Sequence, residues 1–585
     1  MTVAEAESDL TLDEVVREWP RSTRSQFARW NVTTHDVLVL VAGALFCVGT
    51  GPFEFSSWTP RMAALLAGLP LGLVILVRLA WHRDKAAVAA LAFLAWGLIG
   101  ALASAAPMRS LLGQVNGNTQ SVVMFVGVFG FWALARTLSE RGRTLVGPVL
   151  VAALGVGALV GVLQIVLDVR TGMLGAVGGR AGGLEGNAVY FSTELCGALA
   201  WCASTALFSA QSRTRRINLV GVAFFGLAIG LSGSRVSIIA IIVVCAAVCW
   251  QARTLRSLRV PTAAALGLVV SVMMQRSLDA GADSLQRFSA IGGDADRPEV
   301  WRAGFSAFRE HPILGWGLGR VRPAIQHFFS PEFVRIYQQD DYSATWTDVH
   351  NVVLQMLVSV GVIGVMLLVL FVVLANRRAN VALALAAVAI SLNWLLQPTG
   401  LYSLALAAVF LGAAGTGASL TSDRVHRWLR AVTVCCVVVG VSAALFLVAA
   451  DLRLRHAVDR GDRVAMRSAA AWFGDDPFVI DVFVVDSYSP QVASDRRPRE
   501  AAAQRLTELE PDVPTWWSEL AMTQYDNDEF AGMRRSIDKA LALQPNHVRS
   551  WVQLVMYAHK VGDGHLEAGA RQRACDLGAP VCEQP

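Results

Sequence analysis

The chain has 585 residues, 54% of them apolar and only 16% charged, and its mean hydropathy is +0.48. Soluble globular domains carry about 25% charged residues, so this composition excludes an ordinary soluble protein and points to a membrane one. The formal net charge of +5 is small for this length and gives no reason to expect a nucleic-acid partner.

In residues 1–34, acidic positions from Glu5 to Glu18 precede Arg21, Arg24 and Arg29, and no apolar run comes first. That is not a signal peptide, and a cytoplasmic segment is expected. Apolar stretches of about twenty residues then recur, each long enough to cross a hydrocarbon core of ~30 Å. We read thirteen spans, beginning near residues 37, 62, 86, 119, 144, 188, 217, 235, 260, 351, 380, 400 and 431. The span at 260–274 has the weakest signal, but the charge alternation requires it. Alternate connections are basic: HRDK (82–85), RTLSERGR (136–143), SRTRR (212–216), ARTLRSLR (252–259), NRR (376–378) and DRVHRWLR (423–430). The connections between them, such as GPFEFSSWTP, LSGSR and LQPTG, are poorer in positive charge. Short Arg/Lys-rich loops stay in the cytoplasm, which predicts an inside N-terminus and an outside C-terminus in a bacterial cytoplasmic membrane. The expected fold is an all-α polytopic membrane protein with about 13 transmembrane helices over 35–450. A large extracytoplasmic loop (276–350) and an extracytoplasmic helical repeat domain (451–585) complete it.

The large loop holds eight Arg, ten Asp/Glu and no Lys. In the C-terminal region Leu509, Pro511, Trp517 and Leu520 recur as Leu543, Pro545, Trp551 and Leu554, each shifted by 34. This period resembles tetratricopeptide repeats, whose stacked helix pairs offer a surface for a protein partner or a polymer. Seven cysteines (Cys47, Cys196, Cys202, Cys245, Cys249, Cys435, Cys436) fall in spans and read as small hydrophobes. Cys575 and Cys582 can pair in an oxidising compartment. No cysteine spacing suggests zinc.

The chemistry concentrates between Arg297 and Gly364. Arg297, Trp301, Phe305 and Phe308 have roughly helical spacing; His311-Pro312 and the alternating Gly315, Gly317 and Gly319 follow, and His350-Asn351 then opens a span. Alternating glycines permit positive φ and close backbone approach, which suits a tight loop beside a ligand. No Lys-Ser/Thr follows them, and the loop is expected outside, away from nucleotides. Asp294-x-Asp296 imitates a nucleotide-sugar transferase metal pair, but in an outward acidic loop it reads as solvated, as does Asp340-Asp341. No metal and no cofactor is expected.

The series Arg…Trp…Phe…His-Pro-x-x-Gly-x-Gly-x-Gly, then His-Asn at a helix start and Gly-x-x-Gly, resembles the O-antigen ligase/polymerase family. SAAPMRSLLG (104–113), GGRAGGLEGNAVYFS (178–192) and LSGSRVSIIA (231–240) are similar to further segments of that family, so the resemblance covers roughly 90–400. It implies a glycosyltransferase that takes a glycan from an undecaprenyl (polyprenyl) pyrophosphate donor on the outer face of the membrane. The acceptor would be a lipid, a protein or a polysaccharide. The C-terminal repeat is a departure that many members lack. Read from the residues alone, Arg180 and Arg235 either snorkel to lipid head groups or meet a lipid phosphate. His350 alone fits a helix-capping histidine. The resemblance assigns donor pyrophosphate to Arg235, Arg297 and Arg180, catalysis to His350, and positioning of loop or sugar to Asn351, His311 and the three glycines. Guanidinium groups bind phosphate oxygens bidentately, and an imidazole of pKa ~6.5 can take a hydroxyl proton at neutral pH.

Polymerase-type chain extension would use the same residues. A lipid-linked saccharide transporter would need ionisable groups in mid-membrane, and span interiors look nearly free of Asp, Glu and Lys. A simple membrane anchor for the repeat domain would need only one or two spans.

Overall fold

The computed structural model describes residues 32–51, 53–55, 58–114, 120–169, 179–278, 296–337, 348–377, 379–415 and 426–579. Among them the regular elements are helices, with no β-strand. The first ten are α1 Thr34–Val48, α2 Trp58–Trp81, α3 Lys85–Ala103, the short α4 Pro107–Leu112, α5 Val122–Arg136, α6 Glu140–Val166, α7 Ala188–Phe208, α8 Ser212–Ser232, α9 Arg235–Ala252 and α10 Arg259–Ser277. Three loop helices follow: α11 Asp296–Glu310, α12 Val321–Gln326 and α13 Pro331–Tyr337. Then come α14 Val352–Ala375, α15 Val381–Asn393, α16 Leu401–Ala414 and α17 His426–Asp459.

Each expected span coincides with one helix. Eight segments are long and apolar enough to cross a membrane, while α1, α5, α15 and α16 are shorter apolar helices. α10, the span with the weakest sequence signal, packs along α8. α7 breaks one expectation, because Glu194 is buried in its interior.

The helices start where short polar side chains cap them. Thr33 and Asp36 form a capping box on α1, Asp84 caps α3 and Ser139 caps α6. Helices that pack in lipid gain from small residues that let backbones approach. Gly72 of α2 meets Gly130 of α5 in this way: a Cβ on Gly72 would lie 2.6 Å from the Gly130 Cα.

The basic connections meet at one end of the bundle, where Arg136 pairs with Asp84 (3.5 Å) and Arg143 donates to the Gly415 carbonyl (3.2 Å). The connections poor in basic residues gather at the other end. There Glu54 N–H donates to Asp451 (3.0 Å), Gln120 to Thr399 Oγ1 (2.9 Å) and Gln397 to Ser234 Oγ (2.7 Å).

This second end is covered by the loop helices and by the chain after α17, which forms α18 Arg463–Ala470, α19 Ala493–Leu509, α20 Pro514–Asp526, α21 Phe530–Leu543, α22 Val548–Val561 and α23 Gly564–Asp576. The 34-residue period has a physical counterpart. Trp517 donates its indole N–H to the Pro511 carbonyl (2.8 Å), and Trp551 does the same to Pro545 (2.9 Å). Cys575 is disulfide-bonded, while Cys582 lies outside the described residues.

A buried charge cluster fastens this C-terminal unit to the loop. Arg320 is 1% exposed and pairs with Glu510 (2.5 Å) and Asp512. Glu510 also faces Arg109 (3.2 Å) and accepts the Trp516 indole N–H (2.9 Å). The arginines hold the Glu510 carboxyl below its usual range despite its burial. Glu510→Ala leaves the buried Arg109 without its carboxylate and Arg320 with Asp512 alone, and breaking a buried pair costs about 3–5 kcal/mol. A lower unfolding midpoint of the purified protein in detergent is expected. An unchanged midpoint would show that this cluster does not hold the unit in place.

Candidate functional site

α14 is two helices joined at a break, where Gly361 has φ 66 and ψ −174. The break frees the carbonyls of Val358, Ser359 and Val360. The loop after α11 answers two of them: Trp316 N–H donates to Val358 O (2.8 Å) and Gly317 N–H to Ser359 O (3.0 Å). The Trp96 indole of α3 takes the third (2.9 Å), and Val362 N–H returns a bond to Pro312 O (2.9 Å). Gly315, Gly317 and Gly319 have φ of 71, 100 and 74°. A Cβ on Gly315 would lie 2.5 Å from the Ser359 carbonyl carbon, and one on Gly361 would overlap the Ile313 carbonyl. The close approach that these glycines permit is therefore to the backbone of α14. His311 packs edge-on against Trp316, with ring centroids 4.6 Å apart, and shapes this turn.

The seated loop carries α11, which closes over the start of α14, where the Trp301 indole donates to Val349 O (2.9 Å). His350 follows with φ 55, a left-handed backbone that costs a non-glycine residue of order 1–3 kcal/mol and that is found mostly at functional sites. Asn351 is the helix cap, its Oδ1 accepting the Leu354 N–H (3.0 Å). The capping role thus falls to Asn351, and the histidine is engaged differently. His350 N–H donates to Asp348 Oδ1 (2.5 Å), and its Nδ1 lies 3.0 Å from the Asp348 carbonyl. A carbonyl only accepts, so Nδ1 carries the proton and Nε2 is the basic nitrogen. Burial holds the imidazole below its ordinary pKa; the Asp348 carbonyl opposes this and the nearby Arg297 charge adds to it. Asp348 is buried and pushed up to about 7, opposed by amide hydrogen bonds from His350 and Thr399.

Arg180 and Arg235 stand together at a second corner. Arg180 Nε donates to Ser232 O (2.6 Å), and the Ala181 amide to Leu231 O (3.1 Å), so the segment before α7 lies on the end of α8. Gly233, at φ 64, turns the chain, Ser234 caps α9, and Arg235 is its first residue. Gln164 clamps the Arg180 segment by accepting the Gly182 and Gly183 amides (3.0 and 2.9 Å).

The connection between α15 and α16 bridges the two corners. Gln397 bonds Ser234 beside Arg235, and Thr399 donates its amide to Asp348, two residues before His350. Asn393 supports the same corner by accepting from Ser237 (2.7 Å). Sequence reasoning treated LQPTG only as a charge-poor connection. Its one signal was a Gln and a Thr flanking a proline between two apolar runs.

A third group was also missed. Arg61, fully buried on α2, pairs with Glu185 and lies 5.5 Å from the Tyr402 ring centroid, and Glu194 hydrogen-bonds Glu185. Tyr190 is within electrostatic range of both Glu185 and Asp348. Asp294, Asp340, Asp341 and the side chain of Asp296 lie outside the described residues.

The structure thus places Arg297 within electrostatic reach of His350 and Arg180 on the turn that leads into Arg235, the two corners joined through Gln397 and Thr399 at the loop end of the bundle. His311 and the three glycines act one layer behind. Residues 219–369 match the family model described as O-Antigen ligase (Wzy_C), a segment that contains Arg235, Arg297, the glycine loop and His350. No curated protein matches the chain. Over residues 219–369 the chain is thus similar to the O-antigen ligase family, which supports reading it as a membrane enzyme of the ligase/polymerase type.

Proposed function

We propose that the protein moves a glycan from a polyprenyl-pyrophosphate donor to an acceptor hydroxyl, by one inverting attack at the loop end of the bundle. The single observation that carries this is His350. Its tautomer leaves Nε2 as a base, its pKa is held low, and Arg297 lies close enough to act on its charge. The acceptor O–H gives its proton to Nε2 while its oxygen bonds the anomeric carbon. The bond from that carbon to the diphosphate oxygen breaks, and the electron pair leaves with the polyprenyl diphosphate. Charge grows on the diphosphate in the transition state, and Arg297, Arg235 and Arg180 are disposed to receive it. The positive charge is supplied by side chains, so the reaction is expected to persist in chelator.

The basic connections sort to the opposite end from His350, which supports a cytoplasmic N-terminus and an extracytoplasmic reaction in the bacterial inner membrane. The repeated Trp–carbonyl bonds support reading residues 451–585 as a tetratricopeptide-like domain facing the same side.

With reconstituted protein, a polyprenyl-pyrophosphate glycan and acceptor-containing membrane extract, wild type is expected to transfer without added metal or nucleotide. His350→Ala should lower kcat by about 10²–10⁴-fold, and Arg297→Ala by about 10²–10³-fold. Equal transfer by all three would sink the assignment. Labelled donor crossing vesicle membranes without any transfer would make the protein a transporter.

The pH profile gives a second test. Only neutral imidazole accepts the proton, and burial together with Arg297 lowers its pKa, so kcat/KM should be level at neutral pH and fall as pH drops below ~6.5. Arg297→Gln removes a charge that disfavours the imidazolium, which moves the falling limb to higher pH. Asp348 titrates in the same window. A limb that survives Asp348→Asn belongs to His350, and one that vanishes does not.

A further inference from the structure

The bundle, the glycine loop and the C-terminal unit enclose a small polar space where they meet. It is a cavity of about 30 Å³, above the ~10–15 Å³ that one water molecule needs. Five stretches of chain supply its polar lining. Arg109 comes from α4, Gln114 and Gln120 from the connection before α5, Arg322 from α12, Gln355 from α14, and Glu510 from the turn between α19 and α20.

The charge around Glu510 is out of balance. Arg109 lies 3.2 Å from its carboxylate and Arg320 2.5 Å, and Arg322 is acted on by it through space. Asp512 adds a second carboxylate, which Arg320 binds. Three guanidinium groups thus share two carboxylates. The next carboxyls that act on them, Asp476 and Asp481, do not line the cavity. Asp476 caps the turn at Val479 (3.1 Å), and Asp481 is itself pushed up to about 7 by burial and by Glu519 and Asp486.

Donors are left over as well as charge. Arg109 is 7% exposed, and its Nε and Nη1 have no hydrogen-bond partner among the described residues. Arg322 Nε is closed from solvent and has none among them either. A buried charged donor without an acceptor carries the full cost of its lost hydration. Burial accordingly draws Arg109 down to about 10 and lowers Arg322 as well, although Glu510 opposes both shifts. Water in the cavity would meet the donors and leave the charge, whereas an anion meets both. Gln120 Oε1 also lacks a partner among the described residues, and it suits the O–H of a hydrogenphosphate or of a water beside the ion.

We propose that this cavity binds one small inorganic anion, chloride or phosphate, held by the guanidinium groups of Arg109 and Arg322. The site is separate from the three arginines assigned to the donor diphosphate, and it does not depend on the transfer reaction. Bound there, the ion ties α4, α12 and the Glu510 turn together and so fastens the C-terminal unit to the bundle. It also stands behind the His350 segment. Gln355 accepts the Val349 N–H (3.0 Å), and Gln120 donates to Thr399, whose amide reaches Asp348.

The test follows the unfolding midpoint of the purified full chain in detergent, at fixed pH and ionic strength. Sodium gluconate, whose anion is too large for the cavity, is replaced stepwise by sodium chloride or by sodium phosphate. Wild type should show a saturating rise of about 2–5 °C with at least one of them, and the salt that saturates at lower concentration identifies the ion. Arg322→Gln removes one ligand and should lose the rise, whatever its own midpoint in gluconate. Gln355→Glu places a carboxylate in the cavity while keeping an acceptor for the Val349 amide. It should raise the midpoint in gluconate and likewise abolish the response. A wild-type midpoint that responds to neither salt overturns the proposal and leaves the cavity to water. A response that does not saturate, or that Arg322→Gln retains in full, is a general salt effect and overturns it too.

Discussion

Backbone groups inside a membrane protein have no water to turn to, and the break in α14 at Gly361 frees three carbonyls that must be satisfied by protein. Two are met by amides of the glycine loop and one by the Trp96 indole. This repair fixes where the loop sits, and the loop fixes where α11 sits. α11 then holds Val349 through Trp301, beside the histidine that stands just before the cap of α14. Each step is a hydrogen bond between residues far apart in sequence, so the position of the imidazole is over-determined. That is the condition under which a strained residue such as His350 persists.

The same end of the bundle sorts its charges by burial. The Arg320, Arg109, Glu510 and Asp512 group is closed from solvent and mutually paired, which makes it structural. It turns the C-terminal unit from an appendage into a lid fastened to the loop, because Arg320 directly follows Gly319. Arg180, Arg235 and Arg297 are only half-buried. A half-buried guanidinium at the end of a span keeps its charge, so burial separates the arginines closed inside this cluster from the three proposed to meet the diphosphate.

Asp348 links the two corners of the site. It accepts the His350 amide and the Thr399 amide, and its neutral-range pKa follows from that burial. Gln397 extends the link to Ser234 and the Arg235 turn. Through this connection, movement of α15 against α16 would be felt at both corners, whereas either corner alone is built from contiguous chain.

The sequence by itself determined the helical membrane class, the positions of the apolar helices, the alternation of basic connections and the stretch from Arg297 to Asn351 on which the proposed chemistry rests. Hydropathy and charge act locally, over one span or one loop, and are therefore legible in a single chain. The 34-residue period was legible for the same reason, because each Trp meets a carbonyl only six residues away. Only the tertiary structure decided that the glycines face a broken helix, that Asn351 rather than His350 is the cap, and that Gln397 and Thr399 join the site. It alone placed Glu194 inside α7, hydrogen-bonded to Glu185, which in turn pairs with Arg61. These outcomes depend on hydrogen bonds and ion pairs between residues tens to hundreds of positions apart, and a hydrophobic pattern carries no record of which distant polar group will be the partner.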